Sequence, residues 1–241
     1  KIMCDGYFDY PNPLAQSVKT ASDWYHLKPL GKDHPFIREQ VERAKQVKAG
    51  LKDNMCVFYN VFAPFSSIRF GTSDEMVMEH FRQDPKAIAS ALSVIAEDNS
   101  TLCELLLTEA GCDGIYYCVQ GGEKDRMTGE EYRAYITPSD KAVLSYANKF
   151  SPYNILHCCG WAGIPNRLEN WQDYPAKVIN WAAFIEKMDM PAGRAFFGGK
   201  TVLGGCDNRK SGVLYKGTRQ EIQAFIRNLT ASLDSDTGYM I

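Results

Sequence analysis

Apolar positions fall into two patterns along the chain: short unbroken runs, and longer stripes that repeat every three or four residues. The runs are Met55 to Ala63, Gly114 to Gln120, Asn154 to Gly160, Lys177 to Trp181 and Thr201 to Cys206. Each has the length and the β-branched or aromatic content of a buried strand. Pro64 stops the first. The stripes predict helices between them. Pro35 to about Lys52 places Ile37, Val41, Ala44 and Val47 on one side. Ser73 can cap the next helix, with Asp74 and Glu75 suited to its first turn. A longer helix opens at Asp84-Pro85, carries Ile88, Leu92, Ile95, Leu102 and Leu106, and is ended by Gly111. Thr128-Gly129-Glu130-Glu131 and Thr218-Arg219-Gln220-Glu221 are capping boxes. The first opens a helix running toward Phe150 with a break at Pro138. The second puts Ile222, Phe225, Ile226, Leu229 and Leu233 on one stripe.

Smaller elements fill the gaps. Residues 1–35 read as a long loop with a short helix near Ser22 to Leu27, and its aromatics Tyr7, Phe8, Tyr10 and Trp24 suit surface packing or a lid. A short helix is expected from about Pro165, another around Ala183 to Met188, and a short strand at Arg194 to Phe197. Gly238 to Ile241 reads as a strand just beginning, and both ends of a larger unit are expected to lie outside this sequence.

Strand and helix alternate at least five times, with strands apolar throughout, as in a parallel sheet covered on both faces. Such βα units fit a (β/α)8 TIM barrel or an open doubly wound sheet. The barrel is favoured because polar residues gather where several strands end: Asn60, Gln120, His157 with Cys159, Asn180, and Cys206 with Asp207. Barrel active sites occupy that face. Residues 1–241 are read as a single TIM-barrel domain.

Composition narrows the class. The 241 residues are 45% hydrophobic, enough for a full core, and 27 basic side chains against 29 acidic ones give no footprint for nucleic acid or an anionic membrane. No apolar run reaches spanning length and no signal peptide is visible, which predicts a soluble, cytoplasmic protein. Eight cysteines scattered through this length suit reduced thiols or ligands better than a disulfide framework. Asn99-Ser100-Thr101 and Asn228-Leu229-Thr230 match the glycosylation pattern but carry no meaning in a cytosolic chain.

Side chains alternate faces along a strand, so His157 and Cys159 point one way and Cys158 the other. A neutral imidazole and a thiolate on one face are half of a zinc site. The competing reading is a core histidine beside buried cysteines acting as small hydrophobes. Cys206 is the expected further metal ligand, with Cys118 as another candidate, since barrel strand ends converge. In Gly204-Gly205-Cys206-Asp207-Asn208 the glycines make a tight turn or let backbone approach a ligand, and Asp207 is a candidate catalytic group. Of Tyr116 and Tyr117 one faces the barrel; Tyr117 is the candidate catalytic tyrosine. Asn180 and Gln120 are candidate cofactor-binding residues. Gly198-Gly199-Lys200-Thr201 is not a P-loop: the glycine required five positions before Gly199 is Arg194, and a strand follows. No dinucleotide fingerprint and no serine-nucleophile motif occurs.

The order VFYNVFAPF, GCDGIYYCVQ, ILHCCG, KVINWA and VLGGCDN…LYKGTRQEIQAFI resembles the uroporphyrinogen decarboxylase superfamily. Gly205-Cys206-Asp207-Asn208 and Gly217 to Ile222 match its later motifs in part, and KIMCDGYFDYP looks like its segment after the second barrel strand. The resemblance covers most of the chain and is densest from Gly111 onward. It implies a (β/α)8 barrel whose first and last strands lie outside this sequence. The decarboxylases of the superfamily carry an arginine-rich motif and a catalytic aspartate in segments absent here. The methyltransferase branch, which moves a methyl group from a corrinoid to a thiol, resembles this chain at His157-x-Cys159, where zinc is bound. Its third ligand, a late cysteine, would fall beyond Ile241. The resemblance therefore implies zinc as cofactor, a corrinoid as methyl donor, and a corrinoid protein and a small thiol or tetrapyrrole as partners; a homodimer is a separate expectation. The alternatives are a metal-free uroporphyrinogen decarboxylase of tetrapyrrole biosynthesis and a non-catalytic corrinoid- or tetrapyrrole-binding barrel.

Overall fold

The computed structural model describes residues 18–52, 55–160, 162–207 and 209–241. Tyr7, Phe8, Tyr10 and Asn208 lie outside the described residues. Trp24 is inside them and is no lid: it is fully buried in a short 3-10 helix, Ala21–His26, and its indole N–H donates to His80 Nδ1 at 3.0 Å.

Six strands form one parallel sheet in sequential order: β1 Phe58–Phe62, β2 Gly114–Val119, β3 Ile155–Cys158, β4 Val178–Trp181, β5 Thr201–Leu203 and β6 Tyr239–Met240. The order never reverses, so among the described residues there is no switch point of a doubly wound sheet. Right-handed crossovers in sequential order place every connecting helix on the same face.

The helices begin and end where their caps dictate. Helix α1 spans Pro35–Gly50, and its stripe Ile37, Val41 and Ala44 is buried while Val47 is exposed. Helix α2, Pro64–Gly71, follows β1 directly; Pro64 both ends the strand and occupies the first helical turn, a dual role the strand pattern alone does not convey. Ser73 caps α3, Asp74–Gln83, by accepting from Met76 N. Asp84 caps α4, Pro85–Thr108, by accepting from Lys86 N and Ala87 N. The Thr128 capping box opens α5, Gly129–Tyr135, and after a break at Ile136 comes α6, Thr137–Ala147. Short helices α7, Ala183–Glu186, and α8, Met190–Phe196, follow β4. The strand expected at Arg194 to Phe197 is therefore helix: Asp189 accepts from Ala192 N and Pro191 sits in the first turn, so a helix start overrides the local aromatic run. After β5 come α9, Val213–Lys216, and α10, Arg219–Ala231, opened by the Thr218 box. The segment after Pro165 forms only a 3-10 turn, Leu168–Asn170.

The two faces of the sheet differ, which corrects the expectation of strands covered alike on both sides. Val61, Tyr117, Val119, Leu156, Cys158, Ile179, Trp181 and Val202 alternate onto the helix face and are all buried. The opposite face carries Asn60, exposed, with Tyr116, His157, Asn180 and Thr201 half-buried. The strands look apolar throughout because Phe58, Phe62, Ile155, Val178 and Leu203 share that polar face. Packing on the helix face is close. A Cβ at Gly193 of α8 would lie 2.1 Å from the Trp181 ring. Gly193→Ala is expected to cost about 1–3 kcal/mol in urea unfolding, from overpacking; an unchanged midpoint would show that the helix can shift.

Candidate functional site

The register of the sheet builds the site. Cys118 pairs with His157 and His157 with Asn180, so these three lie in one row on the open face near the strands' C-terminal ends. Cys159 follows β3, and its N–H donates to Val119 O at 3.1 Å, extending the ladder one residue and keeping Cys159 on the face of His157. Cys158 points into the helix layer, fully buried, and burial pushes its thiol well above the ordinary value.

Asn180 decides the state of His157. Its Nδ2 donates to Leu203 O at 2.6 Å, which fixes Oδ1 as the acceptor end. Oδ1 accepts from the Tyr116 hydroxyl at 2.7 Å and meets His157 Nδ1 in a short contact. Facing a carbonyl oxygen, Nδ1 must carry the hydrogen, and Nε2 keeps its lone pair. Burial lowers the His157 pKa against the opposing hydrogen bond to Asn180, so the imidazole stays neutral. The Tyr116 ring stacks on it, centroids 5.1 Å apart. A histidine whose second nitrogen is oriented by an outer partner is the usual form of a metal ligand.

Cys159 is held from two sides. Gln120 Nε2 donates to its sulfur at 3.6 Å, and Asn166 Nδ2 donates to its carbonyl at 3.2 Å. Asn166 is fastened by the Glu186 carboxylate through both its N–H and its amide. Cys118 donates to Asn60 Oδ1 at 2.9 Å, and burial raises its pKa. Tyr116, also on this face, has its hydroxyl pKa raised by burial.

Three further expected site residues have these surroundings. Tyr117 faces the helix layer, fully buried, and its hydroxyl has no hydrogen-bond partner among the described residues. Strand parity gives the site Tyr116 instead. For Cys206, among the described residues no three His, Cys, Asp or Glu side chains form a group that could hold a metal ion. Cys206 follows Gly204 and Gly205, whose φ of +148° and +88° turn the chain out of β5 before Cys206 is reached. Those glycines thus serve the turn. The Asp207 carboxylate is taken by its own loop, accepting from Arg209 N at 3.0 Å and from the Arg209 guanidinium at 2.8 Å twice. That partner holds its pKa below the ordinary carboxylate value.

The structure also reveals a charged clasp over the β2 end. Arg69 pairs with Glu123 at 2.9 Å and Asp74 at 2.7 Å, and Arg126 joins Asp74 at 2.8 Å. Its members come from α2, α3 and the loop after β2. No short-range spacing signals them.

The chain is similar to a methyltransferase from Methanosarcina mazei. The TM-score is 0.58 at 18% identity, over 72% of this chain and 48% of that one. The chain thus spans about half the length of that solved structure. The likeness establishes an α/β fold of parallel strands alternating with helices. No protein-family model matches the chain, and no curated protein matches it in sequence. Among the described residues no helix is long and apolar enough to cross a membrane.

Proposed function

We propose that this chain belongs to the uroporphyrinogen decarboxylase superfamily, contributes six strands of a closed (β/α)8 barrel, and serves zinc-dependent methyl transfer from a corrinoid to a thiol. The observation that carries the reading is the His157–Asn180 pair, which leaves Nε2 as a free lone pair on the face of Cys159. The donors fit zinc in type, an imidazole nitrogen and a thiolate sulfur. They supply two ligands of a zinc set. The motif resemblance and the fold likeness to a methyltransferase support the same choice.

Bound zinc would supply an acidified thiol, present as thiolate at neutral pH. The chain's own residues do the rest. Asn180 holds His157 in the tautomer that presents Nε2, Tyr116 stacks over the ring, and Gln120 and Asn166 steady Cys159. A bound corrinoid would supply the methyl group to the substrate thiolate, and the thiol proton would go to solvent. The open face would admit the corrinoid on a second protein, in the cytoplasm.

The test uses full-length protein purified under reducing conditions with zinc. Thiol methylation from methylcobalamin, lost on chelation and restored by zinc, is the expected result. Coproporphyrinogen formation from uroporphyrinogen with no metal present would instead establish the decarboxylase. Corrinoid binding without turnover of either substrate would establish a non-catalytic barrel.

A further inference from the structure

We propose that Tyr132 is a positioning residue for Cys159: its hydroxyl ties the Gln120 carbonyl to a buried acid cluster, and Gln120 holds the Cys159 sulfur. The functional meaning rests on the reading above, in which Cys159 is a zinc ligand. The contacts themselves exist without metal, so the two can fail separately.

The geometry runs through four buried groups. Gln120, 1% exposed, follows β2 and donates through Nε2 to Cys159 Sγ. Its other amide atom, Oε1, has no partner among the described residues, so the side chain is not anchored by a second hydrogen bond there. What fixes Gln120 is its backbone: the Tyr132 hydroxyl lies 3.0 Å from its carbonyl oxygen. That hydroxyl accepts from Trp171 Nε1 at 2.9 Å and lies 3.1 Å from Asp140 Oδ2. The Tyr174 hydroxyl lies 2.9 Å from the same carboxyl oxygen.

Tyr132 has one hydrogen and two acceptors. When Asp140 is protonated, the acid can donate to the Tyr132 oxygen, and the tyrosine hydrogen is free for Gln120. When Asp140 is ionised, it draws the hydrogens of both Tyr132 and Tyr174 and Gln120 is released. Titratable groups face this cluster from every side: Tyr117 of β2, Cys103 of α4, Tyr132 of α5, Cys158 of β3, and Tyr174, whose ring Lys141 overlies at 5.6 Å and whose carbonyl accepts from Lys200 at 2.6 Å. Burial raises Asp140 to about 7. The cluster thus has two hydrogen-bond states near neutrality, and only one of them grips Gln120.

The test reads the Cys159 thiol directly. The full chain, freed of metal, is alkylated with iodoacetamide, and Cys159 is compared with half-buried Cys206 by peptide mass spectrometry. Tyr132→Phe, which keeps the ring, is expected to raise the Cys159 to Cys206 ratio about two- to tenfold, the worth of one hydrogen bond. Gln120→Ala should give the same rise, and the double variant no more. An unchanged ratio in Tyr132→Phe overturns the relay. So does a rise shared by buried Cys158 and Cys103, which reports a loosened fold, or full additivity in the double variant. Should Tyr132→Phe fail to fold, Asp140→Asn decides. Its amide donates permanently, as the protonated acid does, so it should match wild type at pH 6 and show a lower ratio at pH 8. Equality with wild type at both pH values overturns the relay.

Discussion

Asp140→Asn is expected to stabilise the protein at pH 8 and to leave it nearly unchanged at pH 4. Asp140 is fully buried among tyrosine hydroxyls, and burial raises its pKa from 3.8 to about 7. Between those values the folded chain holds a proton that the unfolded chain has released. Stability therefore falls as pH rises through this window. A shift of that size is worth roughly 4 kcal/mol, lost by pH 8 in the wild type. The amide of the variant cannot ionise, so its stability should not show this fall. Its NH2 group, placed where Tyr132 and Tyr174 approach the carboxyl oxygen, donates as the protonated acid does. Urea unfolding at pH 4, 6 and 8 measures the effect. Parallel pH profiles for the two proteins would show that Asp140 titrates in the folded chain as it does in the unfolded one.

Asn180→Ala is expected to weaken zinc binding by about 10- to 100-fold, the usual cost of removing an outer partner of a metal-bound histidine. Alanine removes three contacts: those to His157, Tyr116 and Leu203. Without the Oδ1 acceptor, Nδ1 need not carry the hydrogen, and Nε2 loses its fixed lone pair. His157→Ala should lose more, since a ligand itself goes. Tyr117→Phe should leave affinity unchanged because Tyr117 lies on the far face of the sheet. Competition against a chromophoric chelator ranks the three. Equal affinities for wild type and Asn180→Ala would place the metal, if bound, away from His157.

Local chemistry made most of the fold legible. Ser73, Asp84, Thr128 and Thr218 carry capping side chains in sequence, and each caps in the structure. The stripe Ile222, Phe225, Ile226, Leu229 and Leu233 is the half-buried side of α10 and the segment after it. The Arg194 region was not legible, because a helix start at Asp189 overrode an aromatic run. Period-two alternation puts His157 and Cys159 on one face, in keeping with the Cys159 N–H to Val119 O bond that extends the ladder. It could not tell Tyr116 from Tyr117, since absolute facing depends on which side the helices cover. Long-range pairs were invisible for a different reason. Arg69 and Glu123 lie 54 positions apart, and Tyr132, Asp140 and Tyr174 meet only after α5, α6 and the loop before β4 pack. Cys206 is a ligand candidate because strand ends converge; among the described residues it does not join two others in a metal-holding group, and Gly204 and Gly205 just before it have φ of +148° and +88°.

The most direct test is zinc per chain, by elemental analysis, on full-length protein purified under reducing conditions without added metal. The account predicts about one zinc per wild-type chain, and its loss in both His157→Ala and Cys159→Ala. Zinc retained in both variants, or absent from wild type even after reconstitution, would contradict it.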